Sequence, residues 1–161
     1  MAKLSHVDRR GKARMVDVGD KPATRREAVA RGAVVMSEEA FEKVRTNSVA
    51  KGDVLAVAQI AGIQAAKKAS ELIPLCHPLQ LDSIDVRLEL DETGRRVVIE
   101  AVAATRAATG VEMEALTAAA VAGLTLYDMI KAVDREAVIG EIRLVRKSGG
   151  RSGVYRRGEK R

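Results

Sequence analysis

IDVRLELDETGRRVVIEAVA, residues 84–103, carries apolar side chains at every second position on both sides of a polar turn. In residues 84–90 the intervening positions are charged, as expected for an extended strand with one buried face. Residues 97–103 continue the apolar spacing, and the intervening DETG, residues 91–94, is typical of a hairpin turn. The segment therefore predicts two antiparallel strands that share one buried face.

Further elements flank this hairpin in the sequence. Residues 24–36 are rich in valine and alanine and predict a strand, which is followed by Ser37 and Asp53 as N-cap residues of a short and a longer helix. Beyond the hairpin, residues 111–133 predict a long alanine-rich helix and residues 137–147 a last strand. The order β-α-β-β-α-β is typical of a ferredoxin-like α+β sandwich, in which helices pack on one face of an antiparallel sheet.

The length of 161 residues leaves room for one domain of ordinary size. We expect a flexible N-terminal arm at residues 1–20, a single ferredoxin-like domain at residues 21–148 and a Gly/basic C-terminal tail at residues 149–161. Apolar residues make up 47% of the chain but aromatic residues only 2%, so small side chains that bury little area must build the core. This composition favours an oligomer that buries additional alanine-rich surface.

Cysteine content and hydropathy argue against several classes of protein. A single cysteine rules out an intramolecular disulfide framework and leaves no Cys/His cluster for zinc, so we expect no metal site. The sequence shows no secretory signal and no run of 18 apolar residues. These features favour a cytoplasmic protein without membrane contact.

The net charge of +6 makes a basic ferredoxin-like module that binds nucleic acid the alternative function. One phenylalanine and two tyrosines, however, provide almost no surface on which bases could stack. We therefore expect the basic residues to meet the phosphates of a small ligand, and we expect no nucleic-acid partner.

The segment IPLCHPL, residues 73–79, contains the only cysteine, one of the two histidines and two of the three prolines. Proline restricts its own backbone and that of the preceding residue, so this turn should be stiff. A stiff turn that presents the Cys76 thiol and the His77 imidazole is suited to the wall of a small-molecule pocket. In the alternative interpretation, Cys76 is a small buried hydrophobic residue and His77 is a hydrogen-bonded loop residue.

Two further groups of charged residues are candidates for a site. On the predicted long helix, Glu114, Asp128 and Lys131 fall within a sector of roughly 100°. Asp128 and Lys131 form either an ordinary surface ion pair or, in a desolvating cleft, an acid/base pair. Lys51 and Gly52 precede a helix, where they could bind an anion or simply belong to the cap.

Together these segments resemble the MoaC family, the cyclic pyranopterin monophosphate synthases of molybdenum cofactor biosynthesis. The resemblance extends from about Val16 to Gly153 and rests on six motifs: KGDVL (residues 51–55), IAGIQAAK (60–67), LIPLCHPL (72–79), TGVEMEALT (109–117), YDMIKAV (127–133) and KSGG (147–150). It implies a ferredoxin-like fold and a homohexamer built as a trimer of dimers, with other proteins of molybdenum cofactor biosynthesis as further partners. A purely structural oligomer would leave the Cys76-His77 turn without a purpose.

The resemblance also implies a reaction. The substrate is (8S)-3′,8-cyclo-7,8-dihydroguanosine 5′-triphosphate, and the products are cyclic pyranopterin monophosphate and diphosphate. Protons move while the guanine-derived ring opens and recloses as a pterin, and a ribose oxygen then displaces diphosphate. No cofactor is implied.

Residue by residue, the resemblance identifies candidates for catalysis. Asp128 matches the family's active-site aspartate, and Lys51 and Lys131 match its catalytic lysines. On this basis we predict that Lys131 is the general acid/base and that Asp128 holds it and adjusts its pKa. Lys51 and His77 would serve later proton transfers or stabilise a developing oxyanion.

The candidates for substrate binding fall into groups according to the part of the substrate that each would contact. The family's substrate-contacting segments correspond to Leu75-Cys76-His77 and Met113-Glu114. Glu112 and Glu114 suit the ring N–H and amino groups of the guanine-derived moiety, which carboxylates accept. For the triphosphate we expect the cations of three residues, helped by a flexible backbone at residues 148–150: Lys21, Arg26 and Lys147.

The spacing of Glu114 and Asp128 bears on how such a site is assembled. They are fourteen residues apart, or about 21 Å on a straight helix with a rise of about 1.5 Å per residue. One small ligand hardly spans this distance. We therefore expect a pocket that draws the two residues from different copies of the chain across a two-fold axis.

Overall fold

The protein consists of an antiparallel sheet with helices packed against it. The computed structural model describes residues 7–8, 10–151 and 153–158. In this part of the chain the elements are β1 Thr24–Val35, α1 Glu38–Arg45, α2 Val54–Lys67, α3 Ala69–Leu72, β2 Ser83–Asp91, β3 Arg96–Ala107, α4 Glu112–Ile130, β4 Val138–Ser148 and β5 Tyr155–Arg156. The strand order is β2-β3-β1-β4-β5, with every neighbouring pair antiparallel. The predicted α+β class and the β-α-β-β-α-β order are confirmed.

Two elements add to the predicted set. The short helix α3 lies between α2 and the IPLCHPL turn. The two-residue strand β5 pairs with the end of β4 and lies inside residues 149–161, which we expected to be a Gly/basic tail. This segment therefore contributes an edge strand to the sheet.

The predicted hairpin forms from β2 and β3. Their register places Val86 opposite Ala101, and both of these residues and Ile99 are at most 1% exposed. The turn between the strands is held by Asp91, whose side chain accepts a hydrogen bond from the Gly94 amide at 3.0 Å. The apolar spacing of the sequence thus becomes one buried face.

Both predicted N-caps are present. Ser37 Oγ accepts a hydrogen bond from Ala40 N at 3.3 Å, and Asp53 Oδ1 accepts one from Ala56 N at 2.9 Å. Each bond satisfies a backbone donor that the first turn of a helix leaves unpaired. The cap residues therefore locate the starts of α1 and α2.

Small side chains let α2 and α4 pack closely over the sheet. A Cβ on Gly62 of α2 would lie only 3.0 Å from the carbonyl oxygen of Ala118 in α4, and Ala118 and Ala122 are fully buried. In the described part of the chain, α4 is the one helix long and apolar enough to cross a membrane. Its buried residues form part of the core, which accounts for that composition.

The ends of three strands meet beside the start of α4. β1 begins where β3 and β4 end, because Thr24 pairs with Ala107 and Glu27 pairs with Ser148. Since α4 starts at Glu112, shortly after β3 ends, its first turn lies at the same end of the sheet. Side chains from four distant parts of the sequence are thereby brought together.

Candidate active site

A cleft of about 840 Å³ lies at the end of the sheet where β1 begins and β4 ends. A cavity of this size suits a nucleotide-sized ligand. Charged and titratable residues named from the sequence line it: Lys21, Arg26, His77, Glu112 and Lys147. The apolar and sulfur-containing candidates line it as well: Leu75, Cys76 and Met113.

Arg26 is held against the end of β3. Its Nε donates a hydrogen bond to the carbonyl of Ala107 at 2.9 Å, and its Nη2 donates one to the carbonyl of Ala108 at 3.1 Å. These bonds tie the guanidinium to the loop between β3 and α4. Arg26 is thus a positioned cation at the wall of the cleft.

Lys147 and Glu112 form an ion pair within the cleft. Lys147 Nζ lies 2.7 Å from Glu112 Oε1, and about a quarter of each side chain is exposed, 27% and 25%. A Cβ on Gly110 would overlap the Glu112 carboxylate, so the glycine provides the space in which this carboxylate lies. The pair places a donor and an acceptor side by side for a ligand that carries both charges and N–H groups.

The IPLCHPL segment forms a turn, closed by a hydrogen bond from Cys76 N to the carbonyl of Ile73 at 3.0 Å. Cys76 Sγ lies 3.6 Å from Glu114 Oε1. Burial, followed by the neighbouring charge of Glu114, raises the pKa of the Cys76 thiol to about 11. At neutral pH the thiol is therefore protonated, and it can donate a hydrogen bond but is a poor nucleophile.

Glu114 lies behind Cys76, outside the residues that line the cleft. It is only 3% exposed, and its Oε2 has no hydrogen-bond partner among the described residues. Burial raises the pKa of this carboxyl above its ordinary value. A buried carboxylate oxygen without a partner is costly, so Glu114 retains an unused acceptor next to the cleft.

Asp128 forms a second cluster with two lysines at the other end of α4. Its Oδ1 lies 2.7 Å from Lys131 Nζ and its Oδ2 lies 3.0 Å from Lys51 Nζ. Lys51 also donates to the backbone carbonyl of Asp128 at 2.7 Å, and so satisfies a carbonyl in the last turn of the helix. All three side chains are about half exposed, at 44–56%.

The two lysines keep this carboxyl ionised. The hydrogen bond with Lys131, then that with Lys51, lowers the pKa of Asp128 below its ordinary value. The same hydrogen bond with Asp128 raises the pKa of Lys131. Asp128 therefore keeps Lys131 in the ammonium form, which holds its proton more tightly than a lysine without this partner.

The predicted residues thus fall into two groups. α4 runs without interruption from Glu112 to Ile130, so the fourteen residues between Glu114 and Asp128 correspond to about 21 Å. His77, which we grouped with the catalytic residues, lines the cleft, whereas Lys51 pairs with Asp128.

Outside the six motifs, sequence reasoning missed four of the described residues that line the cleft: Val16, Val18, Ala108 and Arg151. Val16 and Val18 belong to the segment we interpreted as an N-terminal arm, and no local signal distinguishes them there. Arg151 directly follows the KSGG motif, and this adjacency was the available signal. Within the described ranges, no group of three or more His, Cys, Asp or Glu side chains is arranged to hold a metal ion.

Comparison with known proteins assigns the chain to a family. The model of the MoaC family matches residues 15–150. The chain is 61% identical over 157 residues to the cyclic pyranopterin monophosphate synthase of Pelotomaculum thermopropionicum, covering 98% of this chain and 92% of that protein. It is 58% identical over 159 residues to the enzyme of the same name from Heliobacterium modesticaldum, covering 99% of this chain and 100% of that protein.

A human relative is longer. The chain is 56% identical over 154 residues to molybdenum cofactor biosynthesis protein 1 of Homo sapiens, covering 96% of this chain but 24% of that protein. The matches extend over nearly the whole chain, and the matched range of the family spans the positions of both clusters. The chain therefore belongs to the MoaC family.

Proposed function

We propose that this chain is a cyclic pyranopterin monophosphate synthase of molybdenum cofactor biosynthesis and that it converts (8S)-3′,8-cyclo-7,8-dihydroguanosine 5′-triphosphate to cyclic pyranopterin monophosphate and diphosphate. The main support for this proposal is the cleft, because it combines several cations with a carboxylate in a cavity of about 840 Å³. Relatives at 58–61% identity carry the name of this enzyme. The alternative, a nucleic-acid-binding module, has no comparable support.

The triphosphate binds at the cationic side of the cleft. Arg26 and Lys147 provide charge-assisted donors, and Lys21 adds a third positive charge at the rim. Lys147 is already paired with Glu112 at 2.7 Å, so a phosphate oxygen competes for the ammonium and leaves Glu112 able to accept from a ring N–H.

The guanine-derived ring lies against the Cys76 wall. Cys76 is a protonated thiol, so it contributes a hydrogen-bond donor and packing surface instead of a nucleophile. Glu114 behind it has a free buried oxygen that can accept from an amino group of the ring. A ligand that satisfies this oxygen is preferred over one that cannot.

Proton transfer during ring opening and reclosure falls to the Asp128 cluster. Asp128 holds Lys131 in the ammonium form, so we assign to Lys131 the role of a general acid during ring opening and reclosure. Lys51, held by the same carboxylate, stabilises negative charge that develops on oxygen. In the last step the ribose oxygen bonds to the α-phosphorus, the bond between this phosphorus and the diphosphate oxygen breaks, and His77 accepts the hydroxyl proton.

These roles require the two clusters to meet on one substrate. Because α4 separates them by about 21 Å, we propose that each active site combines the cleft of one chain with the Asp128 cluster of another. A two-fold dimer with antiparallel α4 helices achieves this, and three such dimers make the homohexamer.

The direct experiment supplies the purified chain with the cyclo-dihydro-GTP substrate and measures diphosphate release together with the pterin product. Equal amounts of diphosphate and cyclic pyranopterin monophosphate are expected. Light scattering on the same sample should give the mass of six chains. Absence of both products from a folded, assembled sample would contradict the proposed reaction.

A further inference from the structure

The turn after β4 packs very closely against Arg26. Gly149 and Gly150 have φ angles of 94° and 72°, a region that residues with a side chain rarely adopt. A Cβ on Gly149 would overlap the carbonyl oxygen of Arg25, and a Cβ on Gly150 would overlap the guanidinium of Arg26. The missing side chain at Gly150 thus leaves the space that this guanidinium occupies.

The guanidinium is held from the opposite side. Nε and Nη2 of Arg26 donate to the carbonyls of Ala107 and Ala108. Nη1 donates to no acceptor among the residues that the structure describes, and it is the atom nearest to the Cβ that Gly150 lacks. Arg26 therefore has a defined position at the wall of the cleft, with Nη1 next to Gly150.

We propose that Gly150 is a positioning residue for substrate binding. Its missing side chain lets the Arg26 guanidinium stay on the Ala107 and Ala108 carbonyls, so that its positive charge remains at the wall of the cleft for an oxygen of a polyphosphate-bearing ligand. The identity of that ligand rests on the proposed function. We expected residues 148–150 to help through flexibility, whereas the contacts at Gly150 indicate a steric requirement. A donor already in place loses little side-chain entropy on binding, so it contributes more affinity.

Backbone conformation alone does not account for a glycine at position 150. Gly153, in the same segment, has a φ of 63°, yet a Cβ there would meet nothing within 4 Å. Alanine at either position incurs the strain of a left-handed backbone. Only at position 150 does it also displace a cleft side chain, so Gly153→Ala is a matched control.

The test measures the binding of inorganic triphosphate by calorimetry and the kcat and KM for the substrate. Arg26→Ala should weaken triphosphate binding about tenfold to a hundredfold, the scale of a lost charge-assisted hydrogen bond. Gly150→Ala should weaken triphosphate binding at least about fivefold and raise KM similarly, with kcat nearly unchanged. The loss of affinity is smaller than in Arg26→Ala because a displaced guanidinium still contributes part of its interaction. Gly153→Ala should change none of these quantities. In an Arg26→Ala background, Gly150→Ala should have no further effect.

Several outcomes would overturn the positioning role. The first is unchanged triphosphate binding in Gly150→Ala, and the second is normal triphosphate binding in Arg26→Ala. The third is a double variant in which the affinity losses of the two single substitutions multiply. If Gly150→Ala fails to fold, the added Arg26→Ala change should restore folding because it removes the overlapping group, and a failure of this rescue would also overturn the role. Triphosphate binding needs no turnover, so a chain that shows the expected binding pattern but converts no substrate contradicts only the proposed function.

Discussion

Glu114 and Asp128 lie at opposite ends of one uninterrupted helix, with fourteen residues, or about 21 Å, between them. Their surroundings differ as much as their positions. Glu114 is buried beside the Cys76 thiol, whereas Asp128 is 56% exposed between two lysines. A single small substrate that needs both residues must take them from two copies of the chain.

Complementation tests this shared pocket. Glu114→Gln and Asp128→Asn should each retain only about 1% of wild-type activity alone, because every pocket then lacks one required carboxylate. When the two variants are co-expressed, a mixed dimer holds one doubly damaged pocket and one intact pocket. With random pairing about half the dimers are mixed, so roughly a quarter of wild-type activity should return. Verified mixed oligomers without activity above that of the single variants would show that each chain carries its own complete site.

Replacement of the proposed general acid should affect turnover more than binding. Lys131→Ala should lower kcat at least about 100-fold, the usual scale of general acid–base catalysis, with a much smaller change in KM. Lys67→Ala, which removes an exposed lysine at the end of α2, is the matched control and should have normal kinetics. Near-normal turnover in Lys131→Ala would exclude this residue from proton transfer.

The pH dependence of turnover should report the contact between Asp128 and Lys131. The hydrogen bond and charge of Asp128 raise the pKa of Lys131, so Asp128→Asn should lower this pKa. If Lys131 acts as an acid, kcat falls at high pH as the ammonium loses its proton. The high-pH limb of the kcat profile should therefore move to lower pH in Asp128→Asn. A limb that stays in place would assign the high-pH titration to another group.

Burial of Glu114 should make folding stability depend on pH. Burial raises the pKa of Glu114, so the folded state holds this proton more tightly than the unfolded state, whose glutamate titrates near about pH 4.3. The Glu114 contribution to stability is therefore fully present below that pH and is lost as the pH rises through the raised pKa of the folded state. Glu114→Gln removes this titration, so its unfolding free energy, minus that of the wild type, should increase with pH across this window. Urea unfolding from pH 4 to pH 8 measures the difference, and a constant difference would contradict the assignment.

Lys147 should affect substrate affinity. Lys147→Ala should raise KM about tenfold, because one charge-assisted contact to the triphosphate is lost, and should leave kcat within about threefold of the wild type. Arg143→Ala on the same strand removes a cation that pairs with Glu141 at 3.2 Å, and Arg143 does not line the cleft, so this variant is the control. A rise in KM for Arg143→Ala but not for Lys147→Ala would mean that the phosphate site lies elsewhere on β4.

Local patterns were sufficient to predict most of the fold. The apolar spacing of residues 84–103 predicted the β2–β3 hairpin, and Ser37 and Asp53 predicted the starts of two helices, because caps and alternation depend on neighbouring residues. The same reasoning missed β5, which has only two residues and exists because the chain returns to pair with β4. Such a short strand has no pattern of its own.

Sequence motifs likewise identified most residues of the cleft, but they did not predict how these residues are arranged. The sequence alone determined the family resemblance, the candidate residues and the distance between Glu114 and Asp128, because an α-helix has a constant rise per residue. Tertiary structure decided that Glu114 lies behind Cys76, that Val16, Val18, Ala108 and Arg151 complete the cleft, and that Gly150 makes space for Arg26. These relationships join residues that are distant in the chain, and they arise only when the packing of α4 and the strand ends sets which side chains meet.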